Sequence, residues 1–261
     1  MSNISRRDFL KLTLSTMIYP FARPLFDLCA PIVWHGQRSK RAVALTFDDC
    51  YSYDLLISME GILDANSSAK VTFFPTGIAL RNTSSKDPHL WKRFLDKGHE
   101  IGYHGYNHEM PSNLDYWQST ADFGKWKETL HSVLGHPANV KFARPPYGDI
   151  SSNFLRICCE NSLIIVMWSA NWSIAHRTGY REVDLVQGGD IVIFHIRYQD
   201  IVNFETILPM LRDKGLAVVS LSELLLAQDN IPEKSEYQIS DSEIEPEAKR
   251  FPNRSTKICI K

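Results

Sequence analysis

At 261 residues, with 29 Lys and Arg against 30 Asp and Glu, the chain has a net charge of −1 and is long enough for one domain with a sizeable core. That balance argues against nucleic acid as a partner, which needs a basic stripe, and no uncharged apolar run is long enough for an ordinary membrane-spanning helix. The five cysteines (Cys29, Cys50, Cys158, Cys159, Cys259) lack CxxC spacing and suggest neither a disulfide framework nor a cysteine-rich zinc site.

Residues 1–35 do not read as part of a fold. Ser5-Arg6-Arg7-Asp8-Phe9-Leu10-Lys11 resembles a twin-arginine export signal, and the short apolar segment Leu12 to Phe21 suits a signal better than a membrane span. The resemblance implies a bacterial protein carried by the twin-arginine export machinery to the periplasm or cell envelope. Membrane contact is expected only through this segment, which stays as an anchor if it is not removed.

From Arg41 to about Ala227, short apolar runs alternate with helical periodicity. Predicted strands are Ala42–Phe47, Lys70–Pro75, Glu100–Tyr103, Val140–Ala143, Leu163–Met167, Ile191–His195 and Ala217–Val219. Predicted helices are Tyr53–Ala65, Pro88–Lys97, Tyr116–Leu134, Ser151–Asn161, Ile201–Lys214 and Ser222–Gln228, with stops at breakers such as Gly98, Gly135 and Gly215. Alternating β and α implies a parallel sheet with right-handed crossovers. About seven strands in one α/β domain is closer to a barrel than to an open sheet, and barrels place their chemistry at the C-terminal strand ends. Beyond residue 230 an acidic stretch (Glu233 to Glu247) and a basic end (Lys249 to Lys261) read as a mobile, solvated tail.

Four stretches carry chemistry. Leu45-Thr46-Phe47-Asp48-Asp49 ends an apolar strand on two carboxylates, and the chain must be leaving the strand there for both to serve one site. Two anionic groups at a buried strand end need a partner, and a divalent metal is a natural one. His104 and His108 supply neutral ligands, and on a helical turn their spacing would put both rings on one face. Phe142-Ala143-Arg144-Pro145-Pro146-Tyr147-Gly148 is a rigid loop able to hold Arg144 against a carboxylate, or simply a strand-to-helix turn. Ile191–His195 closes a strand on a histidine, which reads as either a core residue or a general acid.

In this order the four stretches resemble the polysaccharide deacetylases, the NodB-homology group or carbohydrate esterase family four, over roughly residues 41–227. The resemblance implies a distorted (β/α)7 barrel at residues 36–229 that removes N-acetyl, or sometimes O-acetyl, groups from glycans. Asp49, His104 and His108 correspond to the ligands of a divalent metal, zinc first among them. Asp48 corresponds to the general base, Arg144 to the residue orienting it, the Tyr147 backbone N–H to the oxyanion donor, and His195 to the acid that protonates the leaving amine. Trp168, Trp172, Tyr106 and Tyr147 are candidates for stacking on sugar rings.

The chain departs from the family pattern after the fifth strand, where an Asp-x-x-Asp-Trp motif is usual and Asn171-Trp172-Ser173-Ile174-Ala175 stands instead. The acid histidine then lacks its carboxylate, with Asn171 the nearest replacement. Reduced activity, another acid such as Asp184, or an alkoxide leaving group would each accommodate the loss. Cys50, Gly105 and Ile196 also replace the usual Gly, Ser or Thr, and Asp, and Cys50 is either a packed thiol or an extra soft ligand. A glycan-binding pseudoenzyme and a hydrolase of non-sugar amides are the competing readings.

Overall fold

The structure, a computed structural model, describes residues 28–171, 185–225, 236–237 and 256–260. The N-terminal segment expected to serve as an export signal, Trp172 and Asp184 lie outside the described residues. Among the described residues no helix is long and apolar enough to cross a membrane.

The hub strand β2 (Ala42–Asp49) is buried along nearly its whole length. It pairs in parallel with β3 (Thr72–Pro75) on one side and with β8 (Ile191–His195) on the other. From β3 the sheet continues to β4 (Glu100–Ile101), and from β8 to β7 (Ala170–Asn171). The second sheet carries β1 (Leu28–Val33), β6 (Ile164–Val166) and β5 (Phe142–Ala143), again parallel.

Two joints turn these sheets into a distorted barrel. One is the single bridge Tyr103↔Ala143, in which the Tyr103 N–H donates to Phe142 O at 2.9 Å and the Arg144 N–H to Tyr103 O at 2.8 Å. The other is the segment 164–171, which pairs with β5 at its start and with β8 at its end. All seven predicted strands have counterparts. The seventh, β9 (Ala217–Val218), pairs only with the start of β2, and the Lys70 N–H reaches its Val218 carbonyl.

Strand alternation sorts the side chains into two cores. Val43, Leu45 and Phe47 of β2 face the helices, where Phe47 stacks on Phe194 and meets Phe204 edge-on. Ala44, Thr46 and Asp48 have the opposite parity and face the barrel interior. Ala44 packs there with Phe74, Phe142, Val166 and Ile191, and Leu221 and Leu224 of α7 (Leu221–Leu225) join them. The interior is therefore apolar at one end and charged at the other, and the charged end is where β2 and β8 stop.

The outer layer is formed by α1 (Tyr53–Ala65), α2 (Gly77–Lys86), α3 (Leu90–Asp96), α4 (Tyr116–Leu134), α5 (Ser152–Glu160) and α6 (Tyr198–Asp213). Ser52 caps α1, and Asp115 with Gln118 forms a reciprocal capping box on α4. The sequence pattern missed α2, whose Asn82, Thr83, Ser84 and Ser85 are weak helix formers. Tertiary contacts support it: Thr76 caps it, Ala79, Leu80 and Thr83 are buried, and the Trp91 indole donates to Thr83 Oγ1 at 2.8 Å.

Two sequence boundaries need correction. Leu28–Val33, expected to lie outside the fold, forms β1, because Ile32 and Val33 pair with Ile165 and Val166 and bury their side chains. Within the tail expected to be mobile, β11 (Thr256–Ile260) pairs antiparallel with β1, and β10 (Glu236–Tyr237) pairs with β11. The edge of β1 presents backbone groups that a β-branched segment can satisfy.

Candidate active site

Asp48 and Asp49 reach one site because the backbone turns at the end of β2. Asp49 and Cys50 have φ of 69° and 61°, and the Cys50 N–H donates back to Asp48 O at 2.8 Å. Four of the five described non-glycine residues with positive φ (Asp49, Cys50, His108 and Tyr147) lie at this end of the barrel. Conformations of this kind cost energy and persist where the surroundings enforce them, often at functional sites.

His104 and His108 converge on Asp49, though not as predicted. No helical turn carries them; they sit on a loop after β4, with φ of 73° at Gly105 and 62° at His108. Gly105 suits this place, since a Cβ would be strained there and would meet the Pro146 ring at 3.1 Å. Asp122 of α4 holds the loop by accepting from the Tyr106 N–H at 2.9 Å and from the Tyr103 hydroxyl at 2.6 Å.

The His108 Nε2 lies 3.1 Å and the His104 Nε2 3.6 Å from Asp49 Oδ1. One ligand atom from each of the three residues falls within 4.8 Å of the other two. This group fits a metal ion on two independent observations. Asp49 Oδ1 is buried without a hydrogen bond among the described residues, and His104 Nδ1, 2.8 Å from the Arg144 carbonyl, donates there and leaves Nε2 for coordination.

Electrostatics bind the three together. Burial alone would raise the Asp49 carboxyl, but the charge of the neighbouring His104, with His108 and His195, brings it below the ordinary value. Burial opposes charge on His104, and the neighbouring Asp48 and Asp49 overcome it, so that ring is pushed up. His108 is pushed down by burial and by His104. Cys50 is not part of this group: its thiol is fully buried, lies 3.5 Å from Phe47 O, and is pushed well up by burial and the two carboxylates. It is a packed thiol.

Arg144 fills the barrel interior below the site, with no exposed surface. Its Nη1 donates to Asp48 Oδ1 at 2.7 Å and to Thr46 Oγ1 at 2.8 Å, its Nε to Val166 O and its Nη2 to Met167 O. A buried carboxylate is thus met by a guanidinium all three of whose nitrogens donate hydrogen bonds. His195 lies opposite Asp48 in the β2–β8 register. Tyr147 follows Pro146 on a single turn with φ of 60°, and its ring centroid is 4.5 Å from that of His108.

The predicted aromatic and polar positions divide. Tyr106 is buried against Gly77 and belongs to the core, not to a sugar platform. Trp168 is partly buried and packs near Gly148 and the Arg144 guanidinium. Tyr51, Tyr147 and Tyr198 are exposed just beyond β2, within the Arg144 loop and at the start of α6, and two of these, Tyr51 and Tyr198, were missed because a lone exposed tyrosine carries no pattern. Asn171 stands opposite Ile193, not His195, and the buried His195 Nδ1 has no hydrogen bond among the described residues. A carboxylate from the next helix stands nearby: Asp200 Oδ2 accepts the His195 backbone N–H at 3.0 Å and lies 4.0 Å from Nδ1. In the sequence the signal was an Asp five residues after the histidine.

These features define a class: a parallel α/β barrel whose strand ends gather carboxylates, histidines and a buried arginine around a candidate metal centre. Residues 35–162 match the family model described as polysaccharide deacetylase. A peptidoglycan-N-acetylglucosamine deacetylase of Bacillus cereus is 36% identical over 138 residues, which are 52% of this chain and 47% of that protein. The chain therefore spans about half the length of that relative. A second B. cereus protein of the same description is 28% identical over 74% of this chain and 92% of its own length. Among solved structures, a peptidoglycan N-acetylglucosamine deacetylase in complex with an N-oxidanyl-benzamide matches at a TM-score of 0.63 and 26% identity, covering 76% of this chain and 94% of that one.

Proposed function

We propose that this chain is a metal-dependent deacetylase of acetylated glycans, acting on N-acetyl groups or, through the same chemistry, on O-acetyl groups. The observation that carries this reading is the approach of Asp49, His104 and His108 to one another beside a buried Asp48–Arg144 pair. The three would hold a divalent ion, zinc in the first instance, which when bound polarises an acyl carbonyl and makes water more acidic.

The protein groups supply the rest. Asp48, held by Arg144 and 3.8 Å from His104 Nε2, takes the proton of the attacking water. The Tyr147 N–H, on a turn stiffened by Pro145 and Pro146, donates to the oxyanion of the tetrahedral intermediate. His195, across the register from Asp48, returns a proton to the leaving nitrogen, without which an amine departs poorly. Exposed Tyr51, Tyr147 and Tyr198 offer flat apolar faces for sugar rings at the rim. Relatives described as peptidoglycan-N-acetylglucosamine deacetylases support a peptidoglycan-type substrate.

The test is metal analysis combined with acetate release from a panel of N- and O-acetylated oligosaccharides. The wild-type chain should bind about one equivalent of metal and release acetate. Asp48→Asn should keep the metal and lose roughly 100-fold or more in turnover. Bound metal with no acetate released from any glycan would favour a binding protein on this scaffold; undiminished turnover in Asp48→Asn would remove the assigned base.

A further inference from the structure

We propose that Asp200 positions His195, taking the place of the aspartates that Asn171–Ala175 lacks; the proposal rests on the reading of His195 as the proton donor. Asp200 is the third residue of α6, and only 3% of it is exposed. Its Oδ2 accepts the His195 backbone N–H at 3.0 Å and stands 4.0 Å from the His195 Nδ1. That ring nitrogen is buried and has no hydrogen-bond partner among the described residues.

A buried polar atom left unpaired is costly, so a ring nitrogen facing a buried carboxylate across 4.0 Å has a strong reason to close the gap. Hydrogen bonds of this kind are often long before substrate binds and tighten afterwards. The local chain brings the two together. β8 ends at His195, the Arg197 N–H donates to His195 O at 2.9 Å, and α6 starts at once. Arg197 provides no side-chain cap, and the carboxylate in the first turn reaches back past it to the histidine. The positive end of a helix also favours an anion at this position.

A carboxylate on the Nδ1 side fixes the proton there and leaves Nε2 as the working nitrogen. In the resemblance the supporting Asp precedes the histidine in the chain; here it follows by five residues, from the next helix. A purely structural Asp200 would be no more than a cap on α6. The Asn variant separates the two roles, because it keeps an acceptor for the backbone N–H while removing the charge.

Two measurements on the full chain test this. The first is the 15N spectrum of the histidine rings above their titration range, with and without zinc, His195 being assigned with His195→Gln. In the wild type His195 should carry its proton on Nδ1, and Asp200→Ala should lose that preference. Should the alanine variant fail to fold, Asp200→Ser, whose short side chain does not reach Nδ1, carries the same comparison. An unchanged His195 tautomer in the variant overturns the proposal.

The second measurement is acetate release from an N-acetylated oligosaccharide and from an aryl acetate, whose leaving phenolate needs no proton. Asp200→Asn should lower kcat on the amide by roughly 10–100-fold, with KM little changed and the aryl ester nearly unaffected, and Asp200→Glu should recover part of the loss. Equal losses on both substrates would also overturn it, as expected of a residue that only holds the fold. A wild-type chain that releases acetate from neither substrate, yet shows the Asp200-dependent tautomer, would refute the deacetylase reading and leave the positioning intact.

Discussion

Arg144 shows how much of the site depends on one side chain. It has no exposure, and its guanidinium donates to a carboxylate and a hydroxyl of β2 and to two main-chain carbonyls, at the last residue of β6 and the one after it. Its face also lies 4.4 Å from the Phe74 ring centroid, so it packs as well as pairs. Burial pushes its acidity up, and the Asp48 charge works against that loss. Replacing Arg144 with Met keeps much of the volume but leaves Asp48 buried without its cation. We expect a loss of about 3–5 kcal/mol in stability, read from urea unfolding, because breaking one side of a buried pair strands the other. A change below about 1 kcal/mol would mean that Asp48 finds water or another partner, which is not the arrangement described.

Among the elements, the start of β4 is set by a histidine with no part in the chemistry. His99 is buried between β3 and α3, edge-on to Phe73 and near Phe94, and its Nδ1 accepts the Val71 N–H at 3.3 Å. An acceptor must be neutral, and burial, with Lys70 and Lys97 nearby, lowers its pKa from 6.5 to about 4. The sign follows from linkage. The unfolded chain takes up the proton near pH 6.5 and the folded chain resists it to about pH 4, so stability present above pH 6.5 is lost as the pH falls between these values. The full effect is of the order of 3 kcal/mol. His99→Asn offers an acceptor that does not titrate, and its denaturation midpoint should fall less steeply from pH 7 to pH 4 than that of the parent. Parallel slopes would show that another group governs this limb.

On the scale of the whole molecule, much of the α/β order was legible. Val43 to Leu45 and Ile191 to Phe194 are apolar runs buried on both faces, as parallel strands under helices must be, and glycines punctuate the helix ends. The hub motifs were legible for a related reason: adjacent carboxylates or a histidine at the end of an apolar run are costly unless something uses them. What was not legible depends on partners distant in sequence. Leu28–Val33 reads as the end of a leader until Ile165 and Val166 are placed beside it, and Asp200 reads as an ordinary first-turn acid until α6 is docked over β8. Joining β4 to β5 through the Tyr103↔Ala143 bridge puts the weakest seam of the ring beside its most demanding residues, since His104 follows one partner and Arg144 the other. A fluctuation that parts those two backbones would also pull the His104 ring from the carbonyl that orients it. Amide protons of Tyr103 and Arg144 should therefore trade with solvent deuterium sooner than those of β2, and zinc at about 100 times its dissociation constant should slow them by up to roughly 100-fold while helix-surface amides stay unaffected. Identical exchange at these two amides with and without zinc would disconnect breathing of the barrel wall from capture of the ion.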